Sequence, residues 1–403
     1  MIEKIKHWVD ENKESIKSTY NYLHSNAEIS WKEEKTTEYL CSQLKMLDIP
    51  FKTFDDHTGV IGYWGNEEEG PVIGLRADID ALWQIVDGEW KANHSCGHDA
   101  HMTMVLYTIT CLKEIGFYPK GLLKIIFQPA EESGKGAQAL IEKGVMNDVD
   151  YLLGIHVRPI QELTFGQASP AIYHGATTLL KGRIEGIQAH GSRPNQGINV
   201  VDSLGAIIQA VNSVKIDPTV SASAKVTMVQ AGGNNINIIP DYAEFGIDIR
   251  AQDNHVLHQL IEQIEHAILY AGSANRAKVE VETLAAMVAA EPSPEMEELV
   301  KAAIVEALGE DALAAPPVTP GGEDFHFYKS SFPHIQATMV GLGTDLQPGL
   351  HHPNMSFNLD SLQNGVKVLA ISTLKLLQQE EICTKVKETK IKGWNRSTSS
   401  SSA

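Results

Sequence analysis

The chain has 403 residues, 43% apolar and 21% charged, which leaves room for a large core shared among two or three domains. A formal net charge of −18, with no block of Lys and Arg outside the extreme C-terminus, excludes a nucleic-acid surface. Four cysteines, Cys41, Cys96, Cys111 and Cys383, are too few and too scattered for a disulfide framework.

Met1 to Trp8 is charged and amphipathic, without the apolar core of a signal peptide, and no later run approaches a membrane span. The sequence therefore predicts a cytoplasmic protein. Helical periodicity runs from Ile2 to Leu47 with a break at Asn26 and Ala27. Val72 to Ala77 is a short apolar run that predicts a buried strand delivering Asp78 and Asp80 at its C-terminal end, where sites collect in open α/β sheets.

The chemistry-bearing stretch comes next. His94-Ser95-Cys96-Gly97-His98-Asp99-Ala100-His101 packs a thiol and three imidazoles into eight residues, and the apolar positions Met102, Val105, Leu106, Ile109 and Leu112 follow at helical spacing. Gly97 lets the backbone turn so that Cys96 and His98 can face one ion. Leu122 to Phe127 predicts a second buried strand, stopped at Pro129 and followed by Glu131-Glu132. Tyr151 to His156 predicts a third, ending in a histidine.

From Ala176 the pattern changes to strand Ala176–Ala189, helix around Val200–Val211, strands Ala222–Gln230 and Tyr242–Arg250, helix Val256–Ile268 and strand Lys278–Leu284. This βαββαβ order predicts a ferredoxin-like sandwich inserted into another domain. The predicted organisation is a catalytic domain in two segments, 1–175 and 289–382, an inserted α+β domain at 176–288 and a disordered tail at 383–403. Near the end of the catalytic part, Ile335 to Leu342 predicts a strand leading to Gly349-Leu350-His351-His352-Pro353, and Leu359 to Leu377 a closing helix.

Cys96, His98, Glu132, His156 and His351 each stand at a strand end, a helix start or an adjoining loop. Five ligands exceed what one tetrahedral ion takes, whereas a pair of ions about 3.5–4 Å apart would use them with one ligand shared. A thiolate can bridge, and Cys96 is the only cysteine placed to do so. Of Glu131 and Glu132, one carboxylate can coordinate while its neighbour serves as general base. His101 and His352 adjoin candidates and read as supporting or packing residues. Asp78 and Asp80 read as carboxylates that orient a ligating imidazole.

Five segments occur together in order: Arg76-Ala77-Asp78-Ile79-Asp80-Ala81-Leu82, Cys96 to His101, Phe127-Gln128-Pro129-Ala130-Glu131-Glu132, Gly154-Ile155-His156 and Leu350-His351-His352-Pro353. The chain resembles the amidohydrolase branch of the di-metal aminoacylase and carboxypeptidase superfamily, which includes hippurate and auxin-conjugate hydrolases. The resemblance implies an α/β fold with a mixed-sheet di-metal catalytic domain and an inserted ferredoxin-like lid and dimerisation domain. It implies that Cys96 bridges two divalent ions, with His98 and His156 completing one, Glu132 and His351 the other, and Glu131 as general base. His190, in Ala189 to Pro194, is implied as a donor to the substrate carbonyl, reaching the other subunit of a homodimer. Asn237 and Arg250 are implied to hold a substrate carboxylate, and Gly322-Glu323-Asp324-Phe325 to flank the site.

The implied reaction is hydrolysis of an N-acyl amino acid or related small conjugate by a metal-activated water. Zinc, nickel, cobalt and manganese all remain open. A dipeptidase or carboxypeptidase on the same scaffold, or a non-catalytic ligand-binding protein, are the competing readings; neither a nucleic-acid nor a membrane partner is expected. Two departures stand out. Trp83 occupies a position where the family usually has proline, in a short segment that also carries Trp90, and Ser95 replaces a common alanine, a change expected to be harmless.

Overall fold

Residues 1–378 are described by a computed structural model. The tail assigned to 383–403, with Cys383, lies outside the described residues. The chain divides into two compact units, one of residues 1–172, 291–317 and 327–378, the other of residues 173–290 and 318–326.

The first unit is built on a seven-stranded mixed sheet. Its order is Phe51–Thr53, Val60–Gly65, Leu122–Gln128, Val72–Asp78, Tyr151–Pro159, Gln336–Leu346 and Ala168–Ser169. The four central strands run parallel, and antiparallel partners close both edges. Val72–Asp78 and Leu122–Gln128 are buried at every position, as expected of parallel strands covered on both faces, which is why each reads as an unbroken apolar run. Helices Ile2–Glu11, Lys13–Ser25, His98–Glu114, Pro294–Leu308 and Ser361–Gln378 pack around this sheet, joining its side chains in one apolar core. The N-terminal helical region breaks at Asn12 as well as at Asn26.

Register fixes where the chemistry lies. Asp78 pairs with Gln128 at the ends of adjacent parallel strands, and His156 pairs with Gly341 on the next pair. Asp78, the Glu131-Glu132 turn and His156 therefore come to the C-terminal side of one sheet, the side on which α/β folds place their sites.

The second unit contains a four-stranded antiparallel sheet, Ala222–Ala231, Tyr242–Ala251, Ala176–Glu185 and Lys278–Met287, with helices Val200–Ser213 and Asn254–Ala274 packed on it around a separate apolar core. Alternation along Ala176–Glu185 and Tyr242–Ala251 puts one face inward, against the two helices. The strand anticipated to reach Ala189 stops at Glu185; Ala189–His190 pairs instead with Ile238–Ile239 in a small ribbon. Residues 318–326, assigned from sequence to the catalytic part, group here because Val318–Thr319 pairs in parallel with Tyr173–His174. Strands of two residues are too short to leave a periodic signal. No helix among the described residues is long and apolar enough to cross a membrane.

Candidate metal centre

Helix His98–Glu114 starts at Gly97, whose φ of +86° is the left-handed conformation glycine adopts freely. A Cβ there would lie 2.5 Å from the Val157 side chain. Position 97 therefore needs glycine both for its turn and for its space, and that turn sets Cys96 and His98 side by side at the helix start.

Ligand atoms of Cys96, His98 and His156 all lie within 4.8 Å of one another, and so do those of Cys96, Glu132 and His351. The two triplets share the Cys96 sulfur. Cys96 Sγ is 3.6 Å from His156 Nε2, and His351 Nε2 is 3.4 Å from Glu132 Oε2. His98 Nε2 stands 3.8 Å from oxygens of both Glu131 and Glu132. All of these side chains are buried except that of His351, which is 55% exposed.

Both buried imidazoles are turned the same way. His98 Nδ1 donates to the Asp80 carbonyl oxygen at 2.9 Å, and His156 Nδ1 to the Val157 carbonyl oxygen at 2.7 Å, so that Nε2 of His156 faces the sulfur and Nε2 of His98 the two glutamates. His98 Nε2 and Glu132 Oε1 are buried and make no hydrogen bond. Orphaned buried acceptors of this kind are costly unless something else satisfies them. Thiolate, imidazole and carboxylate are also the donors that divalent transition ions take, so the residues present fit a metal centre.

The electrostatics agree. Burial pushes the Cys96 thiol well above its usual range, and the Glu132 carboxylate adds to this. Burial likewise pushes Glu132 up to about 7. The His156 imidazole is held well below its usual value, first by burial and then by His101. Burial alone would lower His98 too, but the Asp78 charge, Cys96 and the Asp80 hydrogen bond outweigh it and leave it raised. The pocket thus holds protons where a cation would displace them.

His101 is committed elsewhere: its Nδ1 donates to Asp78 Oδ1 at 2.7 Å and its Nε2 accepts from the Val157 backbone N–H at 3.1 Å. Asp78 also pairs with Arg76, a fully buried guanidinium whose Nε donates to Gln128 at 3.0 Å. Exposed His352 accepts from the Asn354 N–H. His94 is buried with both ring nitrogens making no hydrogen bond, and belongs to neither triplet.

His190, Asn237 and Arg250 lie in the second unit. His190 and Asn237 are neighbours across the small ribbon, where Gly191 N donates to the Asn237 carbonyl at 2.7 Å. His190 Nδ1 accepts from the Ser192 N–H, which leaves Nε2 as the N–H donor of an exposed ring. The Arg250 guanidinium is engaged by Asp248 and by the Pro320 carbonyl.

Asp99, which the sequence places in support of Cys96 and His98, is paired with His24 at 2.7 Å. Sequence reasoning missed two supporting groups. Glu33 is fully buried and accepts from the Ala130 N–H at 2.9 Å and from the Thr58 hydroxyl, bracing the turn that carries Glu131. Gln84 reaches the His351 carbonyl at 2.8 Å. Neither carries a local signal, because each partner is distant in the chain.

A family model described as peptidase family M20/M25/M40 matches residues 74–374. The chain belongs to this family. The matched span contains both triplets that share Cys96, and Glu131, so the M20/M25/M40 assignment and the geometry concern the same residues. The IAA-amino acid hydrolase ILR1-like 2 of Arabidopsis thaliana is 29% identical over 378 residues, spanning 89% of this chain and 84% of its own. The N-acetylcysteine deacetylase of Bacillus subtilis (strain 168) is 31% identical over 363 residues, 84% of this chain and 90% of its own. Among solved structures, the Bacillus subtilis YXEP protein, described as a dinuclear metal binding peptidase from the M20 family, superposes with a TM-score of 0.76 at 25% identity over 92% of this chain and 99% of its own.

Proposed function

We propose that the protein is a metal-dependent amidohydrolase that removes the acyl group from N-acyl amino acids or related conjugates. The observation that carries this reading is the shared sulfur: Cys96 belongs at once to the triplet with His98 and His156 and to the triplet with Glu132 and His351. In this reading Cys96, His98 and His156 would hold one divalent ion and Cys96, Glu132 and His351 a second, zinc, manganese, nickel or cobalt according to supply. When bound, the ions supply polarisation of the scissile carbonyl and acidification of a water.

The chain's own residues do the rest. Glu131 stands outside the two triplets that share Cys96, in a buried position beside His98, and its carboxylate takes the proton of the attacking water and returns it to the leaving amine. Nε2 of His190 is an N–H donor suited to the substrate carbonyl as it becomes an oxyanion, contributed across a homodimer whose contacts the second unit makes. Asn237 and Arg250 bind the substrate carboxylate, Arg250 by sharing a guanidinium now held by Asp248. Cys41, Cys96 and Cys111 are free thiols, in keeping with a cytoplasmic enzyme.

One relative is named for hydrolysing IAA-amino acids and the other for deacetylating N-acetylcysteine, and both names support an amino acid conjugate as substrate. The test is a panel of N-acetyl amino acids, N-benzoyl amino acids and dipeptides assayed with added Mn, Zn, Co and Ni. Turnover of an acylated amino acid, lost on chelation and in Glu131→Gln, is expected. Turnover that survives both treatments overturns the mechanism, and dipeptides as the better substrates overturn the substrate class.

A further inference from the structure

His351 differs from the other candidate ligands in how it is held. Its side chain is half exposed, so packing does not fix it, and its φ of +63° is a left-handed conformation that a residue with a side chain adopts only when its surroundings impose it. What surrounds it is a set of polar contacts from two other parts of the chain. The His351 N–H donates to the Ser95 carbonyl at 2.8 Å, and the His351 carbonyl accepts from Gln84 Nε2 at 2.8 Å. Both halves of its backbone are therefore captured.

Gln84 is itself fixed. Its Oε1 accepts from the Ser95 hydroxyl at 2.9 Å and from Asn93 Nδ2 at 3.1 Å, and Asn93 also donates to the Pro353 carbonyl at 3.1 Å. Gln84 and Asn93 lie on the facing strands Leu82–Val86 and Glu89–Asn93, a hairpin closed by Asp87 and Gly88, both at positive φ as a two-residue turn demands. Ser95 precedes Cys96 directly. One side chain thus ties the hairpin, the segment entering Cys96 and the turn of His351 together.

We propose that Gln84, locked by Ser95 and Asn93, is the positioning residue that holds His351 in its ligating conformation and so sets the affinity of one ion site and not the other. The proposal rests on the dinuclear reading above. It gives Ser95 a role as well: the hydroxyl that a common alanine would lack fills an acceptor position on the Gln84 amide.

The test is titration of the metal-free protein with Co2+, read by equilibrium dialysis and by the thiolate-to-cobalt absorption that reports on Cys96. Wild-type protein is expected to take up two ions. Gln84→Met, which keeps the side-chain volume and removes its hydrogen bonds, should leave one equivalent and its absorption unchanged and weaken the other by about tenfold or more, the usual effect of losing a residue that orients a ligand. Ser95→Ala removes a single hydroxyl and carries the same test with a smaller loss should Gln84→Met fail to accumulate. Trp83→Ser, on the outward face of the hairpin, should bind both ions as wild type does. Unchanged affinity of both ions in Gln84→Met and Ser95→Ala, or equal weakening of both, overturns the positioning role while two-ion uptake by the wild type stands. Uptake of fewer than two ions by the wild type overturns the dinuclear reading itself.

Discussion

Asp80 holds His98 and Glu132 at once. Its carbonyl oxygen and Oδ1 accept from His98 Nδ1 at 2.9 and 3.2 Å, while Oδ2 accepts from the Glu132 N–H at 3.0 Å and from the Ser30 hydroxyl at 2.6 Å. One carboxylate orients a residue of each triplet. Asp80→Ala should therefore lower the affinity of both ions, by about 10–100-fold. Equilibrium dialysis checks this, and wild-type affinity at either site would contradict it.

The shared sulfur makes a different demand. Cys96→Ala removes the atom common to both triplets, so metal content measured after gel filtration should fall for both ions together. Loss of a single ion would mean that Cys96 does not bridge.

Glu33 gives a prediction about the fold around the turn that carries Glu131. Glu33→Leu would leave the Ala130 N–H and the Thr58 hydroxyl without their acceptor in a buried place, at a cost of about 1–3 kcal/mol for each group left unsatisfied. Denaturant unfolding should show that loss, and Glu33→Gln, whose amide oxygen can still accept one of the two bonds, should lose less.

His24 gives a pH dependence. The hydrogen bond to Asp99, against an opposing effect of burial, raises the His24 imidazole above its ordinary value. A group whose folded value is raised stabilises the fold fully below its unfolded value, about 6.5, and loses that contribution as pH rises through the folded value. The difference in Tm between wild type and His24→Ala should be larger at pH 5.5 than at pH 9. Equal differences at both pH values would show that protonated His24 contributes nothing.

What the sequence made legible was the part written in local pattern. Val72–Asp78 and Leu122–Gln128 are buried on both faces and so read as continuous apolar runs, and helix His98–Glu114 reads from its spacing. The residues that come together as the two triplets were visible because metal-binding residue types stood at the ends of those elements. The hairpin Leu82–Val86 and Glu89–Asn93 was not visible, because its apolar side chains Trp83, Ile85 and Trp90 face solvent while polar Gln84 and Asn93 stand on the opposite face, a reversal of the usual apolar-inward pattern. Gln84 and His351 are 267 residues apart, and no local rule connects an ordinary glutamine to a distant histidine carbonyl. Ser95 looked inconsequential for the same reason: its partners lie on other segments.

The hairpin's alternation has one more consequence. Successive side chains of a strand point to opposite faces, so Gln84 works inward while Trp83 and Ile85 on either side of it point out, with the Trp83 and Trp90 rings stacked 6.3 Å apart. The two faces answer to separate constraints. The outer one can be rewritten residue by residue, in size or polarity, without disturbing the grip on the histidine below, so this short loop is where the enzyme's surface is free to diverge while its chemistry stays put.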